Sequence, residues 1–84
     1  MLLTENEKKI IRILAINKYS DYSINELAKM SELSPNGTYK ILNKLKDKEI
    51  LIIKKIANIK SYKIDFSNDK TRLILELAYI EDKL

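Results

Sequence analysis

Three helix-start signals in the first 35 residues constrain the fold more than any other feature of this sequence. Thr4-x-x-Glu7 and Ser23-x-x-Glu26 each match the capping box, in which a hydroxyl accepts from an early backbone N–H and a glutamate reaches back to the cap. Ser34-Pro35 is the third signal, because serine favours the N-cap and proline is tolerated at the first helical position. Helices that begin this close together must be short, so the sequence predicts a bundle of small helices in one domain. The first helix is predicted to end near Lys18, and the second to span about two turns.

The third helix is predicted to extend from Ser34 to about Lys48. At about 100° per residue, Thr38, Leu42, Leu45 and Glu49 fall on one side of it. Its outer side is polar and consists of Asn36, Lys40, Asn43, Lys44 and Asp47, with Tyr39 at the flank. Gly37 lies on the outer side of the first turn, where a glycine costs about 1 kcal/mol of helix stability relative to alanine. Two explanations stay open, namely that the glycine lets the backbone approach a phosphate closely or that an exposed first turn tolerates it.

A β-hairpin is predicted to follow this helix directly, over residues 50–66. The stretch ILIIKKIANIKSYKIDF is rich in isoleucine, and Tyr62, Ile64 and Phe66 alternate with polar residues in the period of a strand. These three aromatic and aliphatic side chains are therefore predicted to share the inner face. The turn is predicted at Ala57-Asn58, with Asn58 as the residue suited to a left-handed conformation.

The last segment predicts a helix from about Asn68 to the end of the chain. Seven of the eight residues from 73 to 80 are apolar, which is more than one buried stripe requires. A 4-3-4 spacing suited to helix pairing relates Leu73, Leu77, Ile80 and Leu84. Two alternatives stay open: pairing with a second subunit through these residues, or packing inside the domain, partly against Ile16 of the first helix.

The positive charge of the chain is concentrated in its middle third. The net charge is +4, but residues 1–33 are neutral and residues 65–84 carry −2. Residues 34–64 carry +6, from eight lysines against Asp47 and Glu49. A nucleic-acid-binding protein needs its cations where the phosphates lie, and the third helix and the hairpin are where this chain has them.

Composition excludes several classes of function. The absence of cysteine and histidine argues against a disulfide framework, a zinc site and the usual nucleophile and base pairs, and no glycine-rich phosphate loop occurs. No apolar run approaches the roughly 18 residues of a membrane span, and no secretory signal pattern is present. We therefore expect a cytoplasmic protein that is not an enzyme and has no catalytic residues, no metal site, no cofactor and no membrane partner.

The residues from Ile24 to Leu51 resemble the helix-turn-helix of small prokaryotic regulators of the MarR and ArsR kind. The likeness consists of an I-x-x-L-A helix, a turn with a buried leucine, a serine-capped third helix with two leucines three apart, and an apolar pair leading into a hairpin. Including the hairpin, it covers residues 4–66. This chain has Thr38 where such proteins commonly have a small aliphatic residue, and Glu49 where they commonly have a glycine.

The resemblance implies a winged helix-turn-helix fold, mainly α with a small β-hairpin. It divides the chain into residues 1–66, the DNA-binding domain, and residues 67–84, a helix for dimerisation or docking. It also implies a transcription regulator whose third helix (34–48) enters the major groove of double-stranded DNA and whose wing (50–66) lies on the adjacent phosphate backbone or reaches the minor groove. The residue types on the third helix suit this role, because asparagine can pair with adenine edges and lysine with guanine edges or phosphates. The predicted DNA-binding residues are Ser34, Asn36, Gly37, Thr38, Tyr39, Lys40, Asn43, Lys44, Lys54, Lys55 and Lys60.

A protein-docking module is the alternative from another functional class. Winged helices also serve as docking domains, and the apolar last helix would then bind a different protein. Single-stranded RNA is a poorer fit, because aromatic residues are few and no sheet face has the pattern of rings on which RNA bases stack. The regulator hypothesis predicts a homodimer through the last helix, with half-sites spaced by whole turns of DNA.

Overall fold

The computed structural model describes residues 3–16 and 20–80, and for Ile80 it describes only the backbone. This part of the chain contains four helices and one antiparallel hairpin. Their bounds are α1 (Glu5–Ile16), α2 (Ile24–Ser31), α3 (Pro35–Asp47), β1 (Leu51–Ile56), β2 (Ile59–Ile64) and α4 (Asp69–Ile80). The predicted class, mainly α with a small hairpin, is confirmed. The predicted end of the first helix near Lys18 falls outside the described residues.

Each predicted capping signal makes the hydrogen bonds expected of it. At the start of α1, the Thr4 N–H donates to Glu7 Oε1 at 2.9 Å and the Glu7 N–H donates to Thr4 Oγ1 at 3.1 Å. Ser23 and Glu26 make the same reciprocal pair before α2. These bonds satisfy backbone donors that have no partner inside the helix, so they fix where each helix begins.

Two residues in left-handed conformations set the paths out of α2 and α3. Glu32 follows α2 with a φ of 61°, and the next N–H, of Leu33, donates to the Ala28 carbonyl at 2.9 Å. Glu49 also has a φ of 61°, just after Lys48, the C-cap of α3. A glycine is favoured in such a conformation, which explains why the sequences that this chain resembles commonly have one at the Glu49 position.

The hairpin is shorter than predicted, and its turn differs in one respect. The strands pair from Leu51 opposite Ile64 to Ile56 opposite Ile59, leaving a two-residue loop. Ala57 has the positive φ, 56°, and Asn58 does not, so the prediction for Asn58 is wrong. A positive φ at the first loop residue alone is the pattern of a type II′ turn, which matches the twist of a hairpin.

The inner face of β2 is formed by Tyr62 and Ile64, which are 4% and 2% exposed. Phe66 lies beyond the end of β2 and is exposed, so its predicted place on this face is wrong. A third segment joins the sheet at Tyr22, whose N–H and carbonyl exchange hydrogen bonds with those of Tyr62 at 3.0 and 2.7 Å. This pairing ties the start of α2 to the hairpin.

The core lies where α1 crosses the other elements. Its fully buried side chains include Ile10, Ile11, Leu14, Leu27, Leu42, Leu45 and Ile50. Helix α4 adds Ile74 and Ala78 to the same core, and the Arg12 guanidinium of α1 donates to the Ala78 carbonyl at 2.6 and 3.2 Å. Ile16 is 72% exposed, so the prediction that α4 packs against it is wrong.

The end of α3, the base of the hairpin and the start of α4 are joined by hydrogen bonds. The Asn68 amide donates to the Glu49 carbonyl at 2.7 Å, the Asp65 N–H to the Ile50 carbonyl at 2.8 Å, and the Thr71 hydroxyl to the Asp65 carbonyl at 2.6 Å. The hairpin is therefore held at its base in a fixed relation to α3. No helix in residues 3–16 or 20–80 is long and apolar enough to cross a membrane.

Candidate nucleic-acid interface

The outer side of α3 forms a polar stripe that is open to solvent. Leu42 and Leu45, on the opposite side, are 1% and 0% exposed and fix the rotation of the helix about its axis. The exposed side chains of the stripe are Asn36, Lys40, Asn43 and Lys44, as predicted from the helical period. The stripe therefore presents amide groups and cations along one side of a helix that the core holds rigidly.

Thr38 does not belong to this surface. Its side chain is 0% exposed, and the hydroxyl has no hydrogen-bond partner among the described residues. The prediction that Thr38 contacts DNA is therefore wrong. The helical period predicts Thr38 on the same side as Leu42 and Leu45. Its DNA-binding role was predicted because its hydroxyl lies near the start of the helix, and the burial of the side chain excludes that role.

The first turn of α3 combines a cap with the only glycine in the chain. The Gly37 N–H donates to Ser34 Oγ at 3.0 Å, which makes Ser34 the N-cap. A Cβ added at Gly37 would lie 3.1 Å from that same oxygen, closer than an ordinary contact. Glycine therefore gives the capping hydroxyl room. Ser34 itself is exposed.

Tyr39 lies at the edge of the stripe. It is 42% exposed and lies at the flank of α3, one turn from both Asn36 and Asn43. Burial raises the pKa of the Tyr62 hydroxyl, and the Tyr39 hydroxyl raises it further. Helix α3 packs against strand β1 of the hairpin.

The lysines of the hairpin are exposed and differ in their surroundings. Lys54 lies 3.9 Å from the Asp21 carboxylate, a contact that links the hairpin to the segment before α2. Lys55 and Lys60 are directly opposite each other across the strands. Like charges in this position repel each other, so an anion beside them would be stabilising.

Four of the lysines predicted to bind DNA have no acidic partner within the described residues. They are Lys40, Lys44, Lys55 and Lys60. Their charges are therefore available to an external anion. The only acidic residue of α3 is Asp47, in the last turn, away from the start of the helix. Together, amides on α3 and unpaired cations on α3 and the hairpin can bind the phosphates of a duplex and hydrogen-bond to its base edges.

The start of α2 also borders this surface, which the sequence did not predict. A groove of about 440 Å³ separates it from the tip of the hairpin and is lined by Ser23, Ile24, Asn25, Lys55, Asn58, Ile59 and Lys60. The Ser23 capping box indicated where α2 begins. It did not indicate that the hairpin lies beside that point, because the Tyr22 to Tyr62 pairing joins residues 40 positions apart.

The residues predicted for dimerisation are only partly described. Leu73 is 61% exposed on α4, whereas Leu77 is half-buried. The side chain of Ile80 and all of Leu84 fall outside the described residues. A groove of about 460 Å³ next to Leu73 and Leu77 also borders the end of α3, at Asp47 and Lys48.

No family model matches the sequence, and no curated protein is significantly similar to it. Solved structures of transcription regulators do share its fold. MepR, a transcription regulator of the Staphylococcus aureus multidrug efflux pump MepA, is 16% identical with a TM-score of 0.76, over 96% of this chain and 61% of that one. ZitR, a zinc-responsive MarR family member from Lactococcus lactis, is 19% identical with a TM-score of 0.72, over 99% of this chain and 56% of that one.

BpsR of Bordetella bronchiseptica, whose DNA binding is regulated by 6-hydroxynicotinic acid, is 12% identical with a TM-score of 0.78, over 96% of this chain and 56% of that one. At these identities the likeness shows the fold, and the predicted winged helix-turn-helix fold is confirmed. This chain spans roughly three fifths of the length of those regulators.

Proposed function

We propose that this chain binds duplex DNA as a transcription regulator, with α3 in the major groove and the hairpin on the adjacent phosphate backbone. One observation carries the proposal: the polar stripe of α3 is exposed while the opposite side of the helix is buried, and the lysine-bearing hairpin packs against this helix through β1. Solved structures with this fold belong to transcription regulators, and one of them is described by its DNA binding. This likeness also favours a binding role over a catalytic one.

The residues have different roles in this proposal. Asn36 and Asn43 pair with adenine edges, because a carboxamide offers a donor and an acceptor at the spacing that adenine presents in the major groove. Lys40 and Lys44 bind guanine edges or phosphates. The Ser34 hydroxyl, the backbone at Gly37 and the Tyr39 hydroxyl hold a phosphate at the first turn, where free N–H groups favour an anion.

The hairpin lysines make contacts that do not depend on sequence. Lys55 and Lys60 bind phosphates directly, and Lys54 does so after giving up its 3.9 Å contact with Asp21. Each phosphate contact releases condensed cations from DNA, so affinity must fall as salt rises. A homodimer through α4 would present two copies of α3 to half-sites one helical turn apart, or a multiple of it.

The salt dependence of binding tests this proposal. We would measure fluorescence anisotropy with a random-sequence duplex over a salt series, for the wild type and for two double variants, Lys40→Gln with Lys44→Gln and Lys55→Gln with Lys60→Gln. The slope of log affinity against log salt should shrink by about two in each double variant.

The control variant is Lys9→Gln with Lys70→Gln, which removes two exposed charges from α1 and α4. Its slope should equal that of the wild type. If all three double variants lower the slope equally, binding responds only to total charge and the proposed surface is wrong. If the wild type does not bind DNA at all, the protein-docking function becomes the better account.

A further inference from the structure

An asparagine occupies the same position at the start of α1, α2 and α3. Asn6, Asn25 and Asn36 each stand two residues after the hydroxyl residue that caps the helix, and all three are exposed. The residue after the asparagine is a glutamate in α1 and α2, but it is Gly37 in α3. The first turn of α3 is therefore the one place in the sequence where a glycine follows an asparagine.

A glycine after an asparagine permits a reaction within the chain, because its peptide nitrogen can attack the side-chain amide. The Gly37 nitrogen bonds to Asn36 Cγ, the Cγ–Nδ2 bond breaks, and ammonia leaves with the proton of the Gly37 N–H. The five-membered imide that results adds water and opens to an aspartyl or an isoaspartyl residue. One water is taken up and one ammonia is released. A side chain on the second residue hinders the attack, and glycine has none.

The helical conformation of the first turn keeps these two groups from reacting. The Gly37 N–H donates to Ser34 Oγ at 3.0 Å, and the Thr38 N–H donates to the Ser34 carbonyl at 3.0 Å. For the attack, the ψ of Asn36 must leave the helical range so that the side chain reaches the Gly37 nitrogen. The Gly37 N–H must then give up its bond to Ser34, so the cap controls access to the reacting nitrogen.

The first turn of α3 is held by fewer hydrogen bonds than the first turns of α1 and α2. In those helices a glutamate accepts from the backbone N–H of the cap residue, at 2.9 Å for Glu7 and 3.0 Å for Glu26. Gly37 has no side chain to make that bond, and Pro35 has no N–H to contribute. The start of α3 therefore opens more easily, and its reacting nitrogen is unhindered.

We infer that Asn36-Gly37 is a self-modification site, at which the chain converts the Asn36 amide into a carboxylate at a rate set by the Ser34 cap. The aspartyl product suits the fold, because a negative charge in the first turn of a helix is stabilising and Lys40 lies one turn away on the same side. The isoaspartyl product carries the same charge on a backbone that is longer by one carbon, which displaces the first turn.

The effect of this carboxylate on DNA binding rests on the proposed function. An ionised carboxylate accepts hydrogen bonds but donates none, so it cannot pair with an adenine edge as the Asn36 amide can. Its charge also repels the phosphates that the same surface is proposed to bind. The modification therefore weakens DNA binding while the core of the protein stays folded.

Mass spectrometry of the full chain, after prolonged incubation without DNA, tests the chemistry. Trypsin places the three asparagines on separate peptides, because lysines lie between them in the sequence, so each can be followed alone. Asn36 should be converted, with release of ammonia, while Asn6 and Asn25 remain amides. The rate should not change with protein concentration, because both reacting groups belong to one chain.

Variants of the first turn test the control by the cap. Ser34→Ala should speed the conversion of Asn36 about fivefold, the factor that corresponds to the stability of a typical N-cap. Gly37→Gln should stop it, because glutamine hinders the nitrogen and can complete the capping box. The matched control is Ser23→Ala, which removes the cap before Asn25 and should leave that asparagine intact. Circular dichroism should show the same fold for all of these proteins.

Fluorescence anisotropy with a random-sequence duplex tests the effect on binding. Asn36→Asp should bind roughly tenfold more weakly than the wild type. Asn6→Asp makes the same change of charge at the matched position of α1 and should bind as the wild type does. Bound duplex should also slow the conversion of Asn36 in the wild type, because α3 in the groove cannot open its first turn.

The possible outcomes separate the inference from the proposed function. If Asn36 keeps its amide as long as Asn6 and Asn25 do, or if Ser34→Ala leaves its rate unchanged, the inference is overturned while the proposed DNA binding stands. If Asn36 is converted but Asn36→Asp binds the duplex as tightly as the wild type, the effect of the modification on DNA binding is overturned. If the wild type binds no duplex, the proposed function fails, and the mass measurements still decide whether the modification occurs.

Discussion

At the scale of single residues, burial decides which polar side chains can act on a ligand. Thr38 and Thr71 are both threonines with almost no exposed surface, at 0% and 1%. Thr71 donates to the Asp65 carbonyl at 2.6 Å, whereas the Thr38 hydroxyl has no partner among the described residues. The Thr71 hydroxyl therefore holds the start of α4 in place. The Thr38 hydroxyl lowers the stability of the fold, because it loses its hydrogen bonds to water and gains none in return.

The substitution Thr38→Val should therefore stabilise the protein. Valine has the same shape without the unpaired hydroxyl, so we expect the free energy of unfolding to rise by about 1 kcal/mol. Thr71→Val, the matched control, should lower it by about 1 to 2 kcal/mol, because the Asp65 carbonyl loses its donor. Urea unfolding followed by circular dichroism measures both. Equal destabilisation by the two substitutions would show that Thr38 has a partner.

Residue roles were only partly predictable from the sequence. The helical period correctly predicted the exposure of Asn36, Lys40, Asn43 and Lys44 and the burial of Leu42 and Leu45, because both follow from rotation about a helix axis. The error at Thr38 came from assigning function by residue type. The contact between Lys54 and Asp21 was not predicted, because it joins residues whose proximity depends on the whole fold.

At the scale of elements, the helix starts were predicted well and the turns less so. Caps are local, since each hydrogen bond joins residues three positions apart, and one sequence contains all the information. In the hairpin loop, which residue adopts the left-handed conformation depends on how the two strands pair. With Ile56 opposite Ile59, that residue is Ala57 and not Asn58. The Tyr22 pairing depends on distant residues and left no local signal.

Glu49 is the element-scale position where one substitution tests the geometry between α3 and the hairpin. Its φ of 61° is costly for a residue with a Cβ and natural for glycine. We expect Glu49→Gly to be more stable than Glu49→Ala by about 1 kcal/mol, measured by urea unfolding.

Alanine is the correct reference for this comparison. Both substitutions remove the 3.8 Å contact between Glu49 and Lys70, so only the backbone conformation differs between them. Equal stability of the two variants would mean that this residue is not left-handed in solution, and the hairpin would then leave α3 at a different angle.

At the scale of the whole molecule, the excess of positive charge and the exposed Leu73 lie on different elements. Residues 34–64 hold the excess of positive charge, and α4 carries the exposed Leu73 on an element that otherwise packs on α1. We therefore expect one cationic surface for DNA and a separate apolar surface for a second subunit.

A dimer through α4 is a prediction at this scale. Leu73 is 61% exposed, so Leu73→Asp should leave the fold intact while it places a charge in the proposed subunit contact. Sedimentation should show a dimer for the wild type and a monomer for this variant, with identical circular dichroism. Met30→Asp, at an exposed apolar residue of α2, should remain a dimer. A monomeric wild type would exclude pairing through α4.

The central claim is that the outer side of α3 and the tip of the hairpin form one surface for duplex DNA. Titration of the isotopically labelled protein with a short duplex, followed by amide chemical shifts, tests this residue by residue. The account predicts that the largest changes occur together, at residues 34–44 and at residues 54–60, and that α1 and α4 change little. Changes confined to α4, or to only one of the two predicted segments, would contradict it.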